Sequence, residues 1–255
     1  MSTTDQNFDS HSKTFKKNIY GTGKGKIREA VLMRDLANFL DDKTNLKILD
    51  IGGGQGQIAL QLAQRGHQVT ITDISSEMLA RAREAAESKQ LTNIEFIHTP
   101  LQELSGHLAE TQYDLVMCHA VFEWLEDPES AFKILTQYCS ELGSISLMFY
   151  NQVGQTLSNL VYGNFDYIDA GMKGKKVVKL NPQASLAPCD VFKWVKTAEF
   201  KVKTKSGVRC FHDYMRDISM WESHFEQILA KELHYSQTEP YASIGRYMHL
   251  IISRQ

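Results

Sequence analysis

The sequence has 255 residues, of which 42% are hydrophobic and 23% are charged. This composition is typical of a soluble globular protein and excludes collagen-like, low-complexity and disordered chains. The uncharged apolar runs are too short to span a bilayer, and the polar start of the chain is not typical of a signal peptide. Four scattered cysteines without a CxxC pair favour neither a zinc site nor a disulfide framework. We therefore expect a cytoplasmic protein without a membrane anchor.

The net charge of −2 conceals an uneven distribution of charged residues. Residues 11–28 contain six basic side chains and no acidic one, and residues 171–209 contain ten basic and two acidic side chains. The rest of the chain is strongly acidic, with 12 basic and 28 acidic residues. Two basic stretches on an acidic body indicate a localised anionic partner, although two solvated basic loops would have the same composition.

The first predicted element is a helix over residues 26–41, and beyond it short apolar runs alternate with amphipathic stretches. This alternation predicts a parallel sheet with helices on both faces. The further elements predicted in this part are, in chain order, a strand at 47–54 that runs into a glycine turn, a helix at 57–64, a strand at 67–74, a helix capped by Ser75 or Ser76 and ending at Lys89, and strands at 93–98, 113–119 and 143–150.

The C-terminal part is less regular. Residues 151–187 lack clear periodicity, whereas the pattern then predicts a helix at 190–200, a strand at 201–210, a helix at 217–235 and a final strand at 245–254. No repeat or linker divides the chain. We expect one domain over 1–255, made of an N-terminal basic segment and helix (1–45), a ligand-binding core (46–150), an insertion (151–187) and the last part of the sheet (188–255).

A glycine-rich turn follows the first predicted strand and opens a helix, in the order Asp50, Gly52, Gly53, Gly54, Gly56. Glycines allow a tight turn and let a ligand approach bare backbone. A loose GxGxxA match keeps nicotinamide or flavin binding open. Asp50, however, would repel a diphosphate and attract an ammonium group. Asp73, at the end of the second predicted strand, has oxygens suited to the hydroxyls of a ribose.

These features resemble the class I S-adenosylmethionine-dependent methyltransferases, whose first motif has the pattern acid-x-Gly-x-Gly-x-Gly. The likeness continues through Asp73-Ile74, Leu101-Gln102 and the segment 114–128. It implies a Rossmann-like α/β fold with a mostly parallel seven-stranded sheet, a C-terminal antiparallel strand and helices on both faces. It also implies S-adenosylmethionine as cofactor. The implied cofactor contacts are Arg28, Asp50, Gly52, Gly53, Gly54, Asp73, Ile74, Leu101, Gln102 and His119.

A closer resemblance runs along nearly the whole chain. Residues 7–9, 15–36, 146–151, 163–172, 207–216 and 245–249 are similar to the bacterial tRNA carboxymethoxyuridine methyltransferases. The resemblance implies methyl transfer to the carboxylate of 5-carboxymethoxyuridine at the tRNA wobble position, which gives the methyl ester. The implied partner is therefore the anticodon stem-loop of tRNA. Arg28 would pair its guanidinium with the methionyl carboxylate of the cofactor.

The chemistry of such an acceptor sets what the chain must supply. A carboxylate with a pKa of roughly 4 is already ionised at neutral pH, so we expect no obligatory catalytic base and a reaction governed by alignment. Basic and aromatic side chains in the two basic stretches fit phosphate tracking and base stacking. The candidate substrate contacts are Tyr20, Tyr150, Asn151, Arg209, His212 and Tyr214.

Several residues have a plainer interpretation. His98, His107 and His119 lack the spacing of a metal triad, so no metal site is expected. Phe122 and its neighbours predict core packing, and Glu123, Glu126 and Asp127 predict a solvated loop before a helix that begins at Pro128. Three other functions stay open: a methyltransferase for a small carboxylic acid, a non-catalytic RNA-binding module with a nucleotide pocket, and a nicotinamide oxidoreductase.

Overall fold

The fold is given by a computed structural model that describes residues 22–41, 43–108, 112–172 and 185–254. The strands are β1 (Lys47–Ile51), β2 (Gln68–Asp73), β3 (Ile94–His98), β4 (Tyr113–His119), β5 (Cys139–Tyr150), β6 (Phe200–Val208) and β7 (Tyr247–Arg254). The α-helices are α1 (Gly23–Leu40), α2 (Gln57–Gln64), α3 (Ser76–Ser88), α4 (Pro128–Tyr138), α5 (Gln152–Val161), α6 (Phe165–Asp169), α7 (Pro188–Thr197), α8 (Met220–Ser223), α9 (Phe225–Tyr235) and α10 (Tyr241–Ile244). Short 3₁₀ helices cover Leu101–Gly106, Phe122–Trp124 and His212–Tyr214.

The seven strands form one sheet in the order β3-β2-β1-β4-β5-β7-β6. All neighbours from β3 to β5 pair in parallel, whereas β7 is antiparallel to both β5 and β6. This arrangement confirms the predicted mostly parallel sheet with an antiparallel C-terminal strand. The chain builds outward from β1 to β3 and then returns to place β4 on the other side of β1. The carboxyl ends of β1 and β4 therefore flank the point at which the strand order reverses, where open α/β sheets bind their ligands.

Both faces of the sheet are covered by helices, as the near-continuous apolar character of the strands predicts. Successive strand residues point to opposite faces, so Ile48 packs with α1, α2 and α9 while Leu49 packs with α4 and α7. Helix α1 closes the first face with a fully buried stripe that includes Ile27, Val31 and Leu36. Because this stripe holds α1 against the sheet, the N-terminal turn of α1 lies beside the carboxyl ends of β1 and β4.

Local signals set several of the helix starts. The side chain of Ser75 accepts a hydrogen bond from the backbone N–H of Met78 and caps α3, as one of the two predicted alternatives has it. Asp127 caps α4, which begins at Pro128 as predicted. None of the helices within the described ranges is both long and apolar enough to cross a membrane.

The structure differs from the sequence prediction at several places. The single helix predicted at 217–235 is two helices, α8 and α9, on either side of His224. Strand β5 begins at Cys139 rather than at residue 143, directly after α4, and it carries exposed residues before its buried run. The stretch 151–187, in which no periodicity was evident, contains helices α5 and α6. Apolar side chains on these helices, such as Leu160 and Phe165, are exposed and do not pack into the core.

Candidate active site

A pocket lies at the carboxyl ends of β1 and β4, under the first turns of α1. The structure brings together five residues predicted to contact a cofactor, namely Arg28, Asp50, Gly52, Gly53 and His119. Glu29, Gln57 and Met148 also line it, and no sequence motif indicated them. Residues that are far apart in the sequence therefore share one cavity, with a carboxylate, a guanidinium and an imidazole on its wall.

The floor of the pocket is the glycine turn after β1. Gly52 has a φ of +66°, and a Cβ at this position would lie 2.4 Å from a methyl carbon of Val121. The backbone N–H of Gly54 donates to a carboxylate oxygen of Asp73 at 2.8 Å. Both the positive φ and the lack of space require glycine at position 52, so the turn exposes bare backbone to the pocket.

Asp50 is the acidic residue of this turn and is only 5% exposed. A Cβ on Gly53 would approach its Oδ2 to 2.6 Å, so the carboxylate lies directly against the glycine. Burial, together with the neighbouring charge of Asp73, raises the pKa of Asp50 to about 7. A carboxyl group with this pKa gains most from a cationic ligand, because a nearby positive charge restores its ionised form.

Asp73 ends β2, next to the turn. Its two oxygens accept hydrogen bonds from the backbone N–H groups of Gly54 and Ser75, each at 2.8 Å. Each carboxylate oxygen has a second lone pair, so hydroxyl donors remain acceptable. Ile74 follows Asp73, and Leu101 and Gln102 begin the 3₁₀ helix after β3, whose His98 pairs with Asp73. The predicted ribose and adenine contacts therefore lie at adjacent strand ends.

His119 closes the pocket from the end of β4. Burial above all lowers the pKa of His119 well below the usual histidine value, and the nearby charge of Arg28 lowers it further, so the ring is neutral at pH 7. Its Nε2 lies 2.8 Å from the hydroxyl of Ser146. The ring is thus held by a neighbouring strand while it lines the cavity.

Four basic side chains form a cluster beside the pocket, which we call the cationic cluster: Lys24, Arg28, Arg209 and Arg246. The guanidinium carbons of Arg28 and Arg209 lie 4.8 and 5.3 Å from the ring centre of Tyr247, and that of Arg246 lies 5.0 Å from the ring centre of Tyr150. The two tyrosine rings are 5.6 Å apart. Burial, and then the charges of Arg209 and Arg246 opposed by the carboxylate of Asp213, lower the pKa of Lys24. A surface of this kind attracts an anion.

Asp213 is the carboxylate set against this cluster. One of its oxygens is 3.2 Å from Nη2 of Arg209, and the other is 2.9 Å from Nδ1 of His212. Burial alone would raise the pKa of Asp213, but Arg209, the His212 hydrogen bond and Lys24 hold it at about 2. Nε of Arg209 is buried without a hydrogen-bond partner in the part of the chain that the structure describes. One carboxylate therefore does not neutralise the cluster.

The other candidate substrate contacts are placed differently. The side chain of Asn151 is fully buried, donates to the backbone oxygens of Ser243 and Gly245, and accepts from Val153. The hydroxyl of Tyr214 lies within hydrogen-bond distance of two backbone carbonyl oxygens. These bonds, and the near-complete burial of His212, indicate that the three side chains support the loop behind the cationic cluster. Contact with a substrate stays a prediction for Asn151, His212 and Tyr214. Tyr20 lies outside the described residues.

Glu123 contradicts the predicted solvated loop. It is 1% exposed, and neither carboxylate oxygen has a hydrogen-bond partner within the described ranges. Burial raises its pKa to about 7, against the opposing effect of the charge of Arg28. The prediction is confirmed for Glu126 and Asp127, which are exposed, and was wrong for Glu123. The acidic composition of the loop gave no sign of the turn after β4, which buries Glu123 beside the core residue Phe122.

Comparison with known proteins agrees with this architecture. Residues 49–147 match a family model described as a methyltransferase domain. The chain is 43% identical over 249 residues to the tRNA 5-carboxymethoxyuridine methyltransferase of Escherichia coli strain K12, covering 96% of this chain and 95% of that protein. The chain belongs to the same methyltransferase family.

More distant relatives show how widely the fold is used. The ubiquinone biosynthesis O-methyltransferase of Acinetobacter baylyi is 28% identical over 168 residues, covering 64% of this chain and 66% of that protein. A crystal structure of the magnesium protoporphyrin IX methyltransferase of Synechocystis with bound SAH superposes with a TM-score of 0.66 at 16% identity, over 97% of this chain and 96% of that one. At that identity the likeness concerns the fold alone.

The site of this methyltransferase includes residues that sequence reasoning missed. Lys24 lies within the first basic stretch, so the sequence showed its charge but not its position beside the pocket. Arg246 and Tyr247 adjoin the final strand, and the pairing of Tyr150 with Tyr247 brings them to the pocket. Register between strands almost a hundred residues apart has no local sequence signal. Within the described ranges, no group of three or more His, Cys, Asp or Glu side chains is placed to hold a metal ion.

Proposed function

We propose that this methyltransferase transfers the methyl group of S-adenosylmethionine to the carboxylate of 5-carboxymethoxyuridine at the tRNA wobble position, giving the methyl ester. The observation that carries the proposal is the 43% identity to a tRNA 5-carboxymethoxyuridine methyltransferase over almost the full length of both chains. The cationic cluster beside the pocket supports it independently, because the acceptor is an anionic nucleoside on an anionic chain.

The pocket fits the cofactor on its own chemistry. Asp50 would accept the ammonium group of the methionyl end, and Arg28 would pair with its carboxylate. Asp73 would accept the ribose hydroxyls, while Ile74, Leu101 and Gln102 would contact the adenine. When bound, S-adenosylmethionine supplies a methyl group made reactive by the sulfonium charge. A methyl group on Gly53 would collide with the Asp50 carboxylate. Glycine at this position therefore keeps the carboxylate in place, and the bare backbone of the turn allows the cofactor to approach closely.

The chain has to align two reactants rather than to remove a proton. The acceptor carboxylate is ionised near neutral pH, so its oxygen attacks without a base. His119 lines the pocket, and its depressed pKa keeps it neutral. We therefore propose that no side chain acts as an obligatory general base, and that substitution of one histidine leaves no loss attributable to proton abstraction.

The cationic cluster would receive the acceptor. Arg209 and Arg246 lie over the tyrosine rings that separate them from the core, so their guanidinium planes are held in place for a carboxylate or a phosphate. The phosphates of the anticodon stem-loop would follow the basic surface around Lys24 and Lys26. A tRNA substrate also implies that the protein is located in the cytoplasm.

Mass spectrometry of nucleosides tests the proposal directly. Transfer RNA that carries 5-carboxymethoxyuridine is incubated with the protein and S-adenosylmethionine, and the expected product is that nucleoside with one added methyl group. Asp50→Ala and Asp73→Ala should abolish the gain. If cofactor binds but no nucleoside is methylated, the tRNA substrate is refuted and a small carboxylic acid becomes the acceptor. If S-adenosylhomocysteine never forms with any acceptor, the chain is a binding module.

A further inference from the structure

A buried chain of hydrogen-bonding groups runs from the pocket through the sheet to helix α1. Nε2 of His119 is 2.8 Å from Oγ of Ser146, and the same hydroxyl is 2.8 Å from Nε2 of His249. Nδ1 of His249 is in turn 2.7 Å from Oδ2 of Asp35. Ser146, His249 and Asp35 are at most 2% exposed. Four polar side chains on β4, β5, β7 and α1 thus form one continuous path inside an apolar core.

The far end of this path is fixed by obligatory donors. Oδ1 of Asp35 accepts from Nε and Nη2 of Arg34 at 2.9 and 2.6 Å, and from Nε2 of Gln237 at 2.9 Å. Arg34 neutralises the Asp35 carboxylate, so a second positive charge on the fully buried His249 would have no counter-ion of its own. The hydrogen bond to Asp35 therefore places the His249 proton on Nδ1 and leaves Nε2 as an acceptor.

The remaining protons follow from this one. Nε2 of His249 is then an acceptor, so the Ser146 hydroxyl donates to it. Having one hydrogen only, Ser146 must accept from His119, which places the His119 proton on Nε2. Nδ1 of His119 is left as an acceptor, and it makes no hydrogen bond to another residue that the structure describes. Since the His119 ring lines the pocket beside Asp50 and Arg28, this nitrogen is the one available to a ligand.

We propose that Asp35, His249 and Ser146 are positioning residues that hold His119 neutral in its Nε2–H tautomer, so that the pocket is offered an acceptor nitrogen for the ammonium group of the cofactor. The proposal rests on the proposed use of S-adenosylmethionine. An ammonium group has three donors, and Asp50 satisfies part of them. A neutral acceptor complements the carboxylate without placing a positive charge beside a sulfonium.

The substitution Asp35→Asn tests the path because it reverses every proton along it. The amide oxygen must stay toward Arg34, whose guanidinium can only donate, so the amide NH₂ faces Nδ1 of His249. His249 then carries its proton on Nε2 and donates to Ser146. Ser146 donates to Nε2 of His119, and the His119 proton moves to Nδ1. Asp35 and His249 are 214 residues apart in the sequence. The substitution of Asp35 is thus expected to change the tautomer of a third residue, His119.

Nitrogen-15 NMR of the histidine rings measures this directly in the free protein. We expect a protonated Nε2 on His119 in the native chain, a protonated Nδ1 in Asp35→Asn, and a mixture of both in Ser146→Ala, which also serves if Asp35→Asn does not fold. Ser144→Ala is the matched control, since Ser144 lies two residues earlier on β5 and has no histidine partner in the described part of the chain. The exposed ring of His98 should not change in any variant.

Cofactor affinity supplies the functional measurement. We expect Asp35→Asn to weaken S-adenosylmethionine binding on the order of tenfold, because a donor then faces the ammonium group. A His119 proton on Nδ1 in the native chain overturns the proposal, and so does an inverted tautomer with unchanged cofactor affinity. If the native chain does not bind S-adenosylmethionine at all, the proposed function fails instead, and the tautomer measurement still reports on the path.

Discussion

Cofactor affinity should fall steeply as the pH is lowered from 7.0 to 5.5, and Asp50 should be the cause. Burial, together with the charge of Asp73, raises the pKa of this carboxyl to about 7 in the free protein. A bound ammonium group requires the ionised form. At acidic pH the free protein holds a proton on Asp50 that must leave before the cofactor binds well, so the apparent affinity is reduced by the fraction that is protonated.

The magnitude follows from that pKa. With a value near 7, half of the Asp50 carboxyls are ionised at pH 7.0 and roughly 3% at pH 5.5, so the apparent Kd should rise by about 16-fold between the two. Binding at pH 6.0 should release about 0.9 proton per cofactor. Asp50→Asn should bind weakly at both pH values and release no proton, since its side chain does not titrate.

Isothermal titration calorimetry in two buffers of different ionisation enthalpy measures both quantities. Glu123 is the necessary control, because it is buried near Arg28 and also has a pKa raised to about 7 by burial. Glu123→Gln should keep the pH dependence and the released proton. The reasoning is refuted if the proton release persists in Asp50→Asn and disappears in Glu123→Gln, or if the affinity does not change with pH in the native chain.

Three further changes have defined outcomes. Gly53→Ala should reduce cofactor affinity at least tenfold because its new methyl group displaces the Asp50 carboxylate. Gly106→Ala is the control: its methyl group meets no atom within 4 Å, and this variant should bind the cofactor normally in the same titration. Arg246→Ala should weaken tRNA binding and reduce its salt dependence, whereas Lys201→Ala, at the end of β6 remote from the pocket, should not; equal losses in a filter-binding assay would contradict the assigned surface. Glu123→Gln should raise the free energy of unfolding on the order of 2 kcal/mol at pH 8 and little at pH 5. The reason is that the raised pKa of Glu123 makes the native chain less stable as the pH rises from about 4.5 through 7. An equal change in Tm at both pH values would refute that sign.

The sheet was predictable because its information is local. Each parallel strand is a short apolar run bounded by a turn or a helix signal, and the motif at Asp50 marks the first of them. The alternation of strands and helices then fixes the fold class. The residues that we propose as cofactor contacts could be predicted from the same segments, since the turn after β1, the end of β2 and the end of β4 all carry residues of the motif regions.

The cationic cluster, which we propose as the acceptor side of the site, was harder to predict because tertiary pairing creates it. Arg246 reaches Tyr150 only through the antiparallel register of β5 and β7. The second basic stretch is divided by the fold, since Lys201 and Lys203 lie toward the opposite end of β6 from Arg209. Charge counted along the sequence therefore indicated an anionic partner but not the surface that would meet it.

The distribution of charge around the pocket suits a reaction between a cation and an anion. Asp50 and Asp73 are on the β1 and β2 side, and the other members of the cationic cluster are on the β7 side, with Arg28 between the two. A sulfonium and a carboxylate attract each other, so the chain need not generate either charge during the step. In the proposed function it would hold each reactant by a part that does not react, the ammonium of one and the phosphates of the other. Because both sets of contacts are made before the methyl group moves, their energy goes into alignment, which is the contribution that an ionised nucleophile still needs.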